Sequence, residues 1–146
     1  RVMLIKEIPE TDKSIMRALI MEVFDQFVAP DYSTKGVASF RDFVMNDDML
    51  TGYICYGAYE GNFLQGILVA DDIQGHVVLY FVRAEAQGRG IGRALWEHLL
   101  AHSVCPAYTV NASLYAAPIY ERLGFAVTGD EQETDGICYI PMKFER

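Results

Sequence analysis

Residues 76–100 read HVVLYFVRAEAQGRGIGRALWEHLL, a strand, a glycine loop and a helix in succession. The run Val77–Val82 is apolar throughout and rich in β-branched and aromatic residues, as a strand covered on both faces would be. A polar break, Arg83–Gln87, follows. Gly88-Arg89-Gly90-Ile91-Gly92 then opens a segment in which Ile91, Leu95, Leu99 and His102 fall on one side of a helix. Glycines at a strand-to-helix turn adopt conformations closed to other residues and remove Cβ atoms where a ligand must approach. The first N–H groups of the helix have no partner within it. Together with the positive end of the helix dipole they attract anions, phosphate above all.

Spacing narrows the choice of phosphate ligand. The dinucleotide fingerprint needs a small residue where this chain has Arg93 (counting from Gly88) or Leu95 (counting from Gly90), and it sits on the first strand of its unit rather than past mid-chain. The P-loop ends in Gly-Lys, a dipeptide this chain lacks. Gln87-x-x-Gly90-x-Gly92 resembles instead the [Gln/Arg]-x-x-Gly-x-[Gly/Ala] loop of the GCN5-related N-acetyltransferases, which cradles the pyrophosphate of acetyl-CoA. A second segment, Asn111–Phe125, reads NASLYAAPIYERLGF. It is similar to the family's next motif, where a strand ends near an Asn and a short helix carries Tyr-Glu-x-Leu-Gly-Phe. The two motifs span roughly the C-terminal half of the chain.

Outward from this centre the elements alternate. Val2–Ile8 is a short apolar run read as the first strand. Thr11 or Asp12 is placed to cap a helix over Asp12–Val28, with Ile15, Leu19, Ile20, Val23, Phe24 and Phe27 at helical spacing. Thr34–Asn46 carries a weaker helical pattern through Val37, Phe40 and Val44. Gly52–Tyr59 and Phe63–Ala70 are strands about a turn at Glu60-Gly61-Asn62, and Asp71–Gly75 turns into the central strand, giving an antiparallel meander. Beyond the helix Arg89–Ser103, Tyr108–Asn111 is a strand that a helical crossover makes parallel to Val77–Val82. Ser113 caps a helix over Leu114–Leu123 with Ala116, Ile119 and Leu123 inward and Gly124 at its C-terminal end. Phe125–Thr128 and Gly136–Phe144 form a closing hairpin around an acidic loop, Gly129–Asp135. The expected class is α/β (α+β): a mixed, mostly antiparallel sheet of about seven strands with helices on both faces. It is read as one domain over residues 1–146, in the element order of the acetyltransferase family.

Composition excludes several classes. The hydrophobic share of 51% and charged share of 22% are those of a globular chain. No apolar run reaches the length of a membrane span. No basic, apolar and cleavage-site succession marks a signal peptide, and the start on Arg1 rather than Met suggests trimming. Cys55, Cys105 and Cys138 are odd in number and far apart, which fits a reducing, cytoplasmic compartment rather than a disulfide framework. The net charge of −8 disfavours nucleic acid as a partner and suits a cationic small molecule or peptide, or simply solubility.

The resemblance implies an acetyl-CoA-dependent N-acetyltransferase that moves an acetyl group to a primary amine by direct transfer in a ternary complex, with no metal. It implies that the backbone of Phe81 and Val82 pairs with the pantetheine arm, and that Gln87, Gly88, Arg89, Gly90, Ile91, Gly92 and Arg93 hold the pyrophosphate. It further implies that Asn111 bonds the pantetheine amide, and that Tyr120 protonates the departing sulfur. Tyr115 has no such support and is read as packing. No general base is assigned; His76 and Tyr80 stand on the central strand, and Asp71 and Asp72 in a turn. His98 and His102 lack a third ligand for a metal. Glu22, Asp25, Asp31 and the carboxylates of Asp130–Asp135 either attract a cationic acceptor or form a solvated face. Phe24, Phe27, Tyr32 and Tyr53 either line an acceptor pocket or fill the core. Homodimers are common in the family. The alternative reading is a non-catalytic acyl-CoA sensor of the same fold.

Overall fold

The computed structural model describes residues 3–48 and 50–146. The first-strand reading begins on Val2, which lies outside the described residues; within them β1 runs over Met3–Glu7. Helix α1, Lys13–Val23, follows and continues into a π-helical turn, Phe24–Val28. Then come α2 (Thr34–Met45), β2 (Ile54–Glu60), β3 (Phe63–Asp71), β4 (His76–Val82), α3 (Ile91–His102) and β5 (Ala107–Ala112). The chain closes with α4 (Ala117–Arg122), β6 (Ala126–Val127), β7 (Gln132–Thr134) and β8 (Ile137–Glu145). The eight strands form a sheet in the order β1-β2-β3-β4-β5-β8-β6, with β7 added on β8. Only β4 and β5 run parallel among these pairs. The mixed sheet, its mostly antiparallel pairing and the helices on both faces agree with the sequence reading.

Two cores form, one on each face. Leu68, Val77, Leu95, Trp96, Leu99 and Tyr108 belong to the core under α3 and α4. Met16, Leu19, Ile20, Phe24, Ile67 and Leu79 belong to the core under α1 and α2. Strand β4 contributes to both, but not in strict alternation. Val69 pairs with Leu79 and Ala70 with Val77, so Val78 is an extra residue, a β-bulge. As a result Val78 and Leu79 both face the α1/α2 core, whereas Val77, Tyr80 and Val82 face the other. The parallel ladder with β5 holds only at His76–Thr109 and Val77–Val110. Beyond the bulge β4 and β5 part, and a V-shaped gap opens toward their C-terminal ends.

Several local expectations are corrected. Asp12 does not cap α1; its carboxylate accepts a hydrogen bond from the Tyr59 hydroxyl at 2.9 Å. The β2–β3 turn holds two residues rather than three, because Glu60 pairs with Phe63. Ser113 Oγ does accept from the Ala116 amide at 3.1 Å, but it caps a turn that precedes α4. The inward face of α4 is Ala117 and Tyr120, while Ala116, Ile119 and Leu123 are half-buried. His102, grouped with the buried stripe of α3, is exposed at the helix end. The acidic segment is not all loop. Residues 132–134 pair with β8 around Asp135-Gly136, whose φ values of 53° and 81° are those of a type I′ hairpin turn. Gly124 stands as expected at φ 104°, and the bonds Phe125 N to Tyr120 O and Gly124 N to Glu121 O, both 3.0 Å, complete a Schellman motif.

The β7–β8 hairpin is held against the start of α2 by glycine contacts. A Cβ built on Gly36 would lie 2.2 Å from the Gly136 carbonyl oxygen, and Ser33 N donates to that same oxygen at 3.2 Å. A backbone atom cannot swing aside, so Gly36→Ala must displace the hairpin. The expected cost is about 1–3 kcal/mol, read as a lower urea midpoint at unchanged slope.

Candidate acyl-transfer site

A cleft of about 660 Å³ occupies the gap between β4 and β5. One end is the loop from Gln87 to Arg93. Gly88 and Gly90 have φ values of 78° and 81°, and a Cβ added to either would meet nothing within 4 Å. These positions therefore need glycine for their backbone conformation, and the space above them is free for a ligand. Gly90 is the N-cap residue of α3 and no side chain caps the helix, so its first-turn N–H groups are open to an anion. Gly92 is different: a Cβ there would stand 3.1 Å from the Tyr80 hydroxyl, which donates to the Gly92 carbonyl. That bond ties the centre of β4 to the first turn of α3.

The sequence-selected residues fall into two groups. Phe81, Val82, Gln87, Gly88, Gly90, Ile91, Gly92, Arg93, Asn111 and Tyr120 all line the cleft. Arg89 is not part of that wall. Its guanidinium makes a two-point ion pair with Glu60, the last residue of β2, at 3.0 and 2.6 Å. Glu60 is 3% exposed and also accepts from Gln65 Nε2 at 3.1 Å. The Arg89 side chain thus braces the glycine loop against the sheet. Arg93 reaches from the wall to the Arg122 carbonyl at 2.9 Å.

Tyr120 is buried on the α4 side, its ring 5.7 Å from that of Tyr80 and 5.1 Å from Phe125. No hydrogen bond to its hydroxyl is formed among the described residues, although the residue lines the cleft. Burial, reinforced by the neighbouring Tyr80, pushes its phenol well above the ordinary value. Burial does the same to Tyr80, against the opposing charge of Arg93. Both are protonated donors at neutral pH.

Tyr115 packs as expected, its ring partly buried against the α1/α2 core, and it also makes a polar contact across the gap. Its ring stacks on Phe27 at 4.7 Å, and its hydroxyl donates to Gln87 Oε1 at 3.0 Å, while Gln87 Nε2 donates to the Val82 carbonyl at 3.0 Å. Tyr115 follows β5, whereas Phe27 follows α1 and Val82 ends β4, so this residue bridges the gap. The carboxylates considered for a cationic acceptor are not in the wall. Glu22 pairs with Arg83 at 2.9 Å, Asp25 with Arg41 at 3.8 Å and Asp135 with Lys35 at 3.4 Å. Phe24 is core and Tyr53 lies away from the cleft, whereas Tyr32 lines it. His76 opens on an adjoining groove, its Nδ1 2.8 Å from Thr109 Oγ1, and burial lowers its pKa against the pull of Asp71. His98 and His102 stack on each other at 4.1 Å, and among the described residues no metal-binding group of His, Cys, Asp and Glu forms. Among the described residues, too, no helix is long and apolar enough to cross a membrane.

A loop of this kind opening a helix beside two parted parallel strands defines an acyl-CoA N-acyltransferase fold, and the comparisons agree. Residues 28–146 match the family model described as an acetyltransferase (GNAT) domain. The chain belongs to that family and is an N-acyltransferase. It is 25% identical over 139 residues to the 5-NmdU N-acetyltransferase of Pseudomonas phage PaMx11, covering 91% of this chain and 93% of that protein. A GCN5-related N-acetyltransferase from Rhodopseudomonas palustris has the same fold, with a TM-score of 0.85 at 17% identity over 100% of this chain and 97% of that one. So does the PaiA N-acetyltransferase of Thermoplasma acidophilum, solved with coenzyme A, with a TM-score of 0.74 at 13% identity over 100% of both chains.

The Glu60–Arg89 brace carries a prediction. Glu60→Gln keeps the shape but removes the charge that holds the guanidinium. Amides of residues 88–92 are expected to exchange hydrogen faster than in the parent while those of α1 are unchanged. Equal exchange in the loop would show that the ion pair does not brace it.

Proposed function

We propose that this protein transfers the acetyl group of acetyl-CoA directly to a primary amine in a ternary complex. The observation that carries this reading is one continuous cleft running from the uncapped start of α3, through the β4–β5 gap, to the Tyr120 phenol. In it the N–H groups of residues 87–93 hold the pyrophosphate, with Arg93 adding charge and Arg89 contributing through its backbone. The backbone of Phe81 and Val82 pairs with the pantetheine arm as an added strand would, and Asn111 bonds a pantetheine amide. No Cys lines the cleft among the described residues, which supports direct transfer over an acyl-enzyme.

The neutral amine nitrogen attacks the thioester carbon and forms the C–N bond. The tetrahedral intermediate loses one nitrogen-bound proton and collapses with cleavage of the C–S bond. Tyr120 gives its proton to the leaving sulfur and regains one from solvent, so amine and acetyl-CoA become amide and free thiol. No Asp, Glu or His lines this cleft among the described residues, so the amine proton passes to water. Most of the rate comes from holding both substrates in line. Three free thiols fit a reducing, cytoplasmic setting. The net charge of −8 fits a free small-molecule or peptide amine better than duplex nucleic acid.

Calorimetric titration tests the first half. Acetyl-CoA is expected to bind in the micromolar range, NAD not at all, and Gly90→Glu to abolish binding because it forces a carboxylate and a strained backbone into the anion site. Absence of acetyl-CoA binding by the parent would overturn the reading. A thiol-release assay tests the second half across amine acceptors, with 5-NmdU, the compound named for the phage relative, included. Tyr120→Phe is expected to keep acetyl-CoA affinity and to lower turnover at least severalfold; unchanged turnover would remove Tyr120 as the acid. Because Tyr80 and Tyr120 stay protonated, kcat/KM is expected to rise with pH along the acceptor's own amine titration, with no alkaline limb below about pH 10, the ordinary phenol value. A fall in rate between pH 8 and about 10 would contradict this assignment.

A further inference from the structure

The half of the cleft on the α1/α2 side is built from rings. Tyr32, Phe40, Phe81 and Tyr115 line it, with Val28 and Val78 between them. Phe40 is anchored by stacking on the core residue Phe24 at 4.0 Å and 7°, and it meets Phe81 edge-on at 6.3 Å. Tyr32 meets Phe24 edge-on at 5.3 Å, and Tyr115 stacks on Phe27 at 4.7 Å. Each wall ring is therefore fixed by a partner behind or beside it.

Charge is distributed in the opposite way. Among the described residues, the formal charges lining the cleft are Arg93 and Arg122, which belong to α3 and α4. The adjoining groove by Ser39, Phe43 and Ile137 holds no carboxylate either. Of the acidic residues flanking this face, Glu22 pairs with Arg83, Asp25 with Arg41 and Asp135 with Lys35, and Asp31, next to the wall residue Tyr32, is exposed and does not line the cleft.

From this arrangement we infer that the acceptor is a primary amine carried on a flat, otherwise uncharged ring, seated between the Phe40–Phe81 wall and Tyr115. This rests on the acetyl-transfer reading above and names the substrate class of that same site. A flat ring gains stacking and edge contacts on preformed walls. A polyamine would have to bury further ammonium groups with no carboxylate to pair them, which is costly. The reacting amine, by contrast, benefits from surroundings that favour its neutral form, because only that form has a lone pair to attack the thioester.

The test compares benzylamine with spermidine in the thiol-release assay at fixed acetyl-CoA, with acetyl-CoA affinity measured separately by calorimetry. The expected kcat/KM is at least tenfold higher for benzylamine. Phe40→Leu, which keeps apolar bulk but removes the ring, is expected to raise the KM for benzylamine about tenfold while leaving acetyl-CoA affinity within twofold. Tyr32→Leu, at another ring of the same wall, serves as a second variant with the same expectation. The inference is overturned if spermidine matches or exceeds benzylamine. It is equally overturned if both variants leave the benzylamine KM unchanged, or if a protein that binds acetyl-CoA acetylates no benzylamine. Failure of acetyl-CoA itself to bind removes the underlying transferase mechanism instead, so the two failures are distinguishable.

Discussion

The parting of β4 from β5 is the constraint on which the rest of the molecule depends. Two parallel strands would ordinarily stay hydrogen-bonded along their shared length. Here the ladder stops after Val77 and Val110. The cause lies on the other edge of β4, where Val78 is one residue too many for its pairing with β3. The bulge turns two successive side chains toward the α1/α2 core and increases the local twist, so that the strand veers from its parallel neighbour. The gap needs a strand that is firm on one side and free on the other. The long antiparallel pairing with β3 supplies the firmness, and the two helical cores hold the split sheet from both faces.

Electrostatics in the site follow from backbone geometry more than from side-chain charge. The N-terminal turn of α3 points open N–H groups at the cleft, and these are fixed dipoles that need no reorganisation when an anion arrives. The arginine nearest to that anion in sequence, Arg89, is directed instead at the buried Glu60. The same economy holds on the opposite face. The acidity of the chain is conspicuous in its composition, yet Glu22, Asp25 and Asp135 meet basic residues on the surface and no carboxylate lines the cleft among the described residues.

What was legible in the sequence was local. The glycine loop, the strand before it, the helix after it and Gly124 each depend on neighbours a few residues away, and all stand where the pattern put them. The unread features are those that two distant segments decide together. A bulge at Val78 cannot be seen in an unbroken apolar run, since either register looks equally buried. Arg89 looked like a phosphate ligand because Glu60, 29 residues away, is invisible to a motif. Tyr115 does pack as expected, but its link to Gln87 went unread because its partners lie in two other segments. The inward face of α4 was read only in part for the same reason: Ala116 and Leu123 pack against the core from its edge, and with Ile119 they also border the cleft, while Ala117 and Tyr120 are the buried residues. The Asp135-Gly136 turn was readable in principle, but the surrounding acidic run suggested a solvated loop.

The bridge made by Tyr115 has a consequence for time rather than for shape. The walls of the cleft are strands and helices, whose rearrangement is slow and collective. Its crossing member is one ring lying on another, held additionally by an amide of Gln87. Stacking adds about 0.5–1.5 kcal/mol to the area the pair buries, and the hydrogen bond to Gln87 adds to that, so the crossing is closed by side-chain contacts alone. Opening it needs rotation of side chains and no change in the fold, so a ligand's passage through the gap is uncoupled from the slow collective motion of strands and helices.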